Sequence, residues 1–133
     1  MTSPTDLRPS GGYAEVGGVT YAVPSVNTPV LRLLLPDGAP PPRGFTRNQR
    51  GVWSAQMGRA DVDRVYRLTT RARWRGHEVE VREVRDGRVR VEGWTYPPPA
   101  EPEVTTPENT YWQAWVAPAD LGDVSETVDE IAP

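Results

Sequence analysis

The chain of 133 residues contains no cysteine and no lysine, and its one histidine is His77. Without cysteine there are no disulfides, thiolate nucleophiles, iron–sulfur clusters or Cys-based zinc sites. Without lysine there is no Schiff base and no phosphate-loop lysine, and all 15 cations are arginine. A single imidazole excludes a His-rich metal site, and any catalytic triad would have to use it. Carboxylates, hydroxyls, guanidiniums and backbone amides remain, and no carboxylate pair stands out. The expectation is a non-enzyme with no metal and no cofactor. No apolar run approaches the roughly 18 residues that cross a bilayer. The segment Met1–Ser10 is polar, without the apolar core of a secretory leader. The simplest expectation is a cytoplasmic protein with no membrane partner.

Aliphatic content is low. Val, Leu, Ile and Phe account for 26 residues, but five Trp and five Tyr add burial capacity and the net charge is only −3. The length suits one domain. The sequence predicts a flexible lead over 1–12, then a single β-rich domain over 13–133 with Pro-rich loops at 36–44 and 97–107. Charge is unevenly spread. Residues 43–90 hold 13 Arg and 6 acids, whereas residues 91–133 hold 9 acids and no Arg. Either the acidic part folds back on the basic middle, or one pole recruits a charged partner. The overall acidity, and the interleaving of Arg with Glu and Asp, oppose nucleic-acid binding.

Strand signals dominate. Gly17-Gly18 supplies a hairpin turn between Tyr13–Val16 and Val19–Val23. Val30–Leu35 is the most apolar run and reads as a central strand. Gly51–Met57 is a further strand, followed by one helical turn at Ala60–Val65 with Asp61 as N-cap. Tyr66–Trp74 is extended and Arg75-Gly76 is a tight turn. Around Asp86-Gly87, a three-residue loop with a bulge pairs Val84 with Arg88. It places Val79, Val81, Val89 and Val91 on one buried face, Glu80 opposite Glu92 and Arg82 opposite Arg90. Thr110–Val116 is a strand with Trp112, Ala114 and Val116 on one face and Tyr111, Gln113 and Trp115 on the other. Leu121, Val124, Val128 and Ile131 are spaced like one face of a C-terminal helix begun by Pro118.

Val52–Val65 and Tyr111–Val124 align without gaps as W-x-A-x-[MV]-x-x-A-D-[VL]-x-x-V, offset by 59 residues. Each copy reads as a strand followed by a turn that folds two aliphatics back onto a sheet. The fold class is mainly β: a bent antiparallel meander, SH3-like or a small open barrel, with short helical turns and a C-terminal helix.

Surface residues carry what functional signal there is. Trp94, Tyr96, Trp112 and Trp115 are packing residues or an exposed anchor patch, since Trp and Tyr are frequent interface hot spots. Asp120, Asp123, Glu126, Asp129 and Glu130 are a solvated face or an acidic surface that blocks a basic cleft. His77 follows a turn and reads as a strand-start residue. The candidate partner-binding residues are Trp94, Tyr96, Trp115, Asp120, Asp123, Glu126, Asp129 and Glu130.

One resemblance covers about residues 53–131. It rests on Trp53, Asp61-Val62, Val65-Tyr66, Arg75-Gly76 leading into Val79 and Val81, and Asp86-Gly87 with Val89 and Val91. It closes on Trp112, Val116, Asp120-Leu121 and Val124. This segment resembles small actinobacterial immunity proteins encoded beside secreted polymorphic toxins. The resemblance implies a non-catalytic inhibitor that occludes the active site of a cognate toxin in a 1:1 complex. The alternative is an SH3-like module that binds a peptide or small ligand in a groove.

Overall fold

Three two-residue loops organise the chain. Gly17-Gly18, Arg75-Gly76 and Asp86-Gly87 have positive φ at both positions: 58° and 82°, 49° and 81°, 53° and 74°. That is the backbone of a type I′ turn, whose twist matches the twist of the strands it joins. The loops connect β1 (Gly11–Val16) to β2 (Val19–Val23), β6 (Arg64–Trp74) to β7 (His77–Arg85), and β7 to β8 (Arg88–Gly93). The other strands are β3 (Val30–Leu34), β4 (Thr46–Arg47), β5 (Trp53–Gly58), β9 (Val104–Glu108), β10 (Tyr111–Val116) and β11 (Leu121–Glu130). Single 3-10 turns occupy Arg59–Asp61 and Pro118–Asp120. The structure, a computed structural model, describes residues 7–36, 39–108 and 110–131. The fold is mainly β: one antiparallel sheet of 11 strands, not closed, in the order β4-β5-β3-β2-β1-β6-β7-β8-β10-β9, with β11 paired to β6. Among the described residues, no helix is long and apolar enough to cross a membrane.

The chain forms two compact units, Gly11–Leu68 with Val128–Pro133 and Thr69–Thr127 with Met1–Ser10. In the first, Ala14, Tyr21, Val23, Val26, Leu31, Leu33 and Val65 form the core, with Met57, Val62 and Ile131 packed against it. In the second, Ala72, Trp74, Val79, Val81, Val89, Val91, Trp112, Ala114, Val116 and Leu121 do so, joined by Leu7. In β8 and β10 alternate residues point inward because the pleat has a period of two.

Both units follow one plan: hairpin, third strand, short fourth strand, fifth strand, 3-10 turn, returning strand. A shift of 58 residues carries buried Ala14, Tyr21, Val23, Leu31 and Leu33 onto buried Ala72, Val79, Val81, Val89 and Val91. The cross-strand pair Ala22 with Leu34 becomes Glu80 with Glu92. After the third strand the shift is 59. Leu31 with Met57 and Leu33 with Ala55 become Val89 with Val116 and Val91 with Ala114. Thr46 with Ser54 becomes Thr105 with Gln113. The repeat of 14 residues visible in the sequence is therefore the end of a longer structural repeat that runs the length of each unit.

Several expectations are corrected. The C-terminal helix is instead β11. Asp123 has a φ of 50°, which breaks the alternation and lets Leu121 and Val124 serve one core while Ile131 packs on the other. That interruption, in a segment rich in β-branched residues, imitates helical spacing. In the β7–β8 hairpin the loop has two residues, and Val84 pairs with Val89. A bulge between Val81 and Glu83 then restores the phase, so Val79, Val81, Val89 and Val91 are buried and Val84 is exposed. Glu80 does face Glu92, but Glu83 rather than Arg82 faces Arg90. Asp61 does not cap a helix: it lies inside a 3-10 turn whose N-cap is Gly58. Of the predicted flexible lead, residues 1–6 lie outside the described residues. Leu7 is buried, Ser10 N–H donates to Val81 O at 2.8 Å, and β1 begins at Gly11. Asp37 and Gly38 of the first Pro-rich loop also lie outside the described residues. The second loop ends earlier than expected, because Val104–Glu108 is a strand at the end of the sheet order, where Pro107 is tolerated.

Trp112 lies directly across from Gly93, and a Cβ at Gly93 would overlap the indole ring. Gly93→Ala should therefore cost about 1–3 kcal/mol in urea denaturation. Gly122→Ala, where nothing stands within 4 Å, should change little. Trp112→Ala should cost about 3–5 kcal/mol, and clearly more than Trp115→Ala, since only the first indole is buried.

Candidate binding site

The end of β8 runs straight into Trp94-Thr95-Tyr96, and the Tyr96–Pro97 peptide is cis. Trp94 is 56% exposed and Tyr96 is 89% exposed. With Pro98, Thr106, Glu108, Tyr111 and the edge of Trp112 they line a cleft of about 470 Å³. On its other side Trp94 borders a hollow of about 420 Å³ shared with Arg71, Glu78 and Glu80. The core supports this rim directly. Trp112 Nε1–H donates to Thr95 Oγ1 at 3.2 Å, its ring lies 6.0 Å from that of Trp74, and His77 meets it edge-on at 5.9 Å.

The loop after Tyr96 is held by Arg75. Its guanidinium donates to Glu101 at 2.6 Å and to Glu103 at 2.7 Å, and it lies 4.7 Å above the Trp74 ring. Arg75 occupies a left-handed position that its counterpart in the first unit gives to glycine, Gly17. A side chain there costs conformational energy, and here it holds the rim loop. The hydrogen bond to Glu103 raises the Arg75 pKa above its ordinary value. The same contact, followed by a backbone hydrogen bond, lowers the Glu103 carboxyl.

The first unit has a groove of about 350 Å³ at the equivalent place, lined by Leu35, Pro36, Ala39, Arg47, Gly51, Val52 and Trp53. The repeat aligns Pro36 with Trp94, Arg47 with Thr106, Val52 with Tyr111 and Trp53 with Trp112. The shared plan produces a groove in both units. Among the described residues, Trp53 is the one aromatic ring lining the first, whereas Trp94, Tyr96, Tyr111 and Trp112 line the second.

Of the sequence candidates, Trp94 and Tyr96 fall together on the cleft. Trp115 is half-buried, carries Arg85 at 5.1 Å over its ring, and does not line the cleft. Three of the five acids are engaged by the chain's own arginines. Asp123 meets Arg73 at 3.7 Å, Glu126 meets Arg8 at 3.3 Å, and Glu130 together with Glu15 flanks Arg64. The pairs of Arg64 with Glu130, Arg73 with Asp123 and Arg75 with Glu101 and Glu103 show the acidic third folded back on the basic middle, and Glu126 turns instead to Arg8. Asp120 and Asp129 are exposed, but no helix gathers the five into one face. Tyr111 and Glu108 were not among the candidates. Their signal is the proline-rich loop flanked by aromatics at both ends. Among the described residues, no group of three or more His, Asp or Glu is placed to hold a metal ion. Comparison with known proteins gives no matching family model, no matching curated protein and no matching solved structure.

Arg75→Gly relieves the left-handed backbone while releasing the loop. Amide exchange at Ala100, Glu101 and Glu103 should accelerate, while the melting temperature moves by less than about 5 °C. A depressed carboxyl stabilises the fold above the unfolded-state pKa and loses that effect as pH falls through the folded value. In urea denaturation the advantage of the wild type over Glu103→Gln should be present at neutral pH and vanish below the lowered Glu103 pKa.

Proposed function

We propose that this chain is a non-catalytic protein-binding inhibitor that docks its partner on the aromatic cleft of the second unit. The observation that carries the reading is the pair of large, solvent-exposed rings, Trp94 and Tyr96, set on a cleft whose floor is fixed by buried Trp112. Rigid aromatics around a hollow give much contact area for little lost entropy, which is why they dominate interface hot spots. The scarcity of catalytic groups supports a role in binding, and His77 is turned against Trp112 rather than toward a carboxylate. The resemblance of residues 53–131 to immunity proteins supplies the outcome: a 1:1 complex with a cognate toxin whose active site is covered, formed in the cytoplasm. The acidic strand contributes less than its charge suggests, because most of its carboxylates are already paired. A second reading, an SH3-like module that takes an extended peptide, is favoured by Pro98 and Tyr111 lining the same cleft.

The test is the complex with the product of a neighbouring gene, followed by light scattering and titration calorimetry. Trp94→Ala and Tyr96→Ala should each weaken it by about 2 kcal/mol, roughly 30-fold in Kd, with unchanged melting. Asp129→Asn should change it little. A complex indifferent to both aromatic substitutions would overturn the assignment of the cleft.

A further inference from the structure

We propose that the cleft is a receptor for a cationic side chain of the partner, a guanidinium or alkylammonium group seated among Trp94, Tyr96 and Tyr111 beside Glu108. The proposal rests on the cleft being the docking surface and adds the chemistry of what enters it.

The first argument is how this chain treats its other rings. Arg64 lies 4.3 Å above Tyr66, Arg75 lies 4.7 Å above Trp74 and Arg85 lies 5.1 Å above Trp115. Each of these ring faces is taken by an internal guanidinium, at the distance where a cation is drawn to the electron-rich face. Among the described residues, Trp94, Tyr96 and Tyr111 have no such cation and no stacked ring. Their faces are open to solvent or to the cleft.

Charge is the second argument. Glu108 lines the cleft and makes no ion pair among the described residues, and no arginine lines the cleft with it. Arg71 lines the neighbouring hollow beside Trp94, where Glu78 and Glu80 accompany it. An unpaired carboxylate beside open ring faces complements a cation and repels an anion.

The internal repeat is the third argument, because it supplies a comparison within one chain. In the first unit the groove keeps its tryptophan, Trp53. It has Pro36 and Val52 where the second has Trp94 and Tyr111, and a guanidinium of its own, Arg47, where the second has Thr106. Same backbone plan, opposite electrostatics: only the second groove presents rings and a carboxylate without a cation.

The experiment reads the indole N–H signals of the five Trp by NMR. The full chain is titrated with choline, with N-acetylarginine amide, and with 3,3-dimethylbutan-1-ol, the neutral isostere of choline. The two cations should shift the Trp94 signal saturably and leave the Trp53 signal still. The neutral isostere should bind about fivefold more weakly, the worth of one exposed cation–π contact. Glu108→Gln should weaken choline by a similar factor, with the buried Trp74 and Trp112 signals confirming the fold. Equal binding of choline and its isostere, no saturation by either cation, or an equal response at Trp53 would overturn the proposal. Binding of a neutral proline-rich peptide that depends on Trp94 would overturn it while leaving the docking surface in place. Loss of the docking surface itself is read separately, from the indifference of the partner complex to Trp94→Ala.

Discussion

The indole of Trp112 is the contact on which the second unit depends. It lies flat on the backbone of Gly93, the one residue type that leaves room for it, and tilts against Trp74. Its apolar body stays inside the core while its single N–H reaches Thr95. Buried indole N–H groups commonly find a partner; that of Trp112 finds one on the binding rim, whereas that of Trp74 has none among the described residues. Packing and site are thereby coupled. The position of Thr95, and with it the direction in which the chain leaves toward Tyr96, follows from how the core is filled.

The two units show what a shared backbone plan leaves free. Register is conserved in the first hairpin of each unit and between its third and fifth strands, because two-residue turns and period-two burial leave little choice once one face is apolar. The second connection differs: β2 and β3 are joined by residues 24–29, and β7 and β8 by a two-residue turn with a bulge. The groove beside the fifth strand is a consequence of that plan and appears in both. Its chemistry is not. Proline, valine and arginine line it in one unit, tryptophan, tyrosine and threonine in the other. The difference between two grooves on one scaffold is a stronger indicator of function than either groove alone.

Charge is used largely internally. The basic middle and acidic end of the chain are brought together as exposed ion pairs, each of small individual worth. Arg64 and Arg75 each bind two carboxylates and a ring at once, and Arg75 does so from a left-handed turn position. It converts a hairpin turn into an anchor for the loop that follows Tyr96.

Much of the fold was legible in the sequence, since local rules govern it. Glycine-containing turns and alternating valines follow from backbone geometry and burial over a few residues. The inward facing of Trp112, Ala114 and Val116 follows in the same way. The sequence left Trp94 and Tyr96 open between packing and exposure, and the structure exposes both. The repeat was legible only at its end, where Trp, Ala and Asp recur. Through the hairpins Ala14 with Ala72 and Val23 with Val81 are identical but lie too far apart along the chain to form a motif, and Tyr21 and Val79 share burial without identity. The two-residue loop at Asp86-Gly87 is not legible locally, because a bulge upstream between Val81 and Glu83 corrects the phase and no local pattern announces a bulge.

What the sequence by itself determined is the β class, the turns, and which faces of most strands are apolar, because these depend on neighbours in the chain. Only the tertiary structure decided that Leu121–Glu130 is a strand. An interrupted strand and a helix can share one spacing of aliphatics, and the vacant hydrogen-bonding edge of β6 resolves the choice. The cleft was likewise decided by tertiary structure, because Trp94 and Tyr111 lie far apart in sequence and meet only through the pairing of β8 with β10.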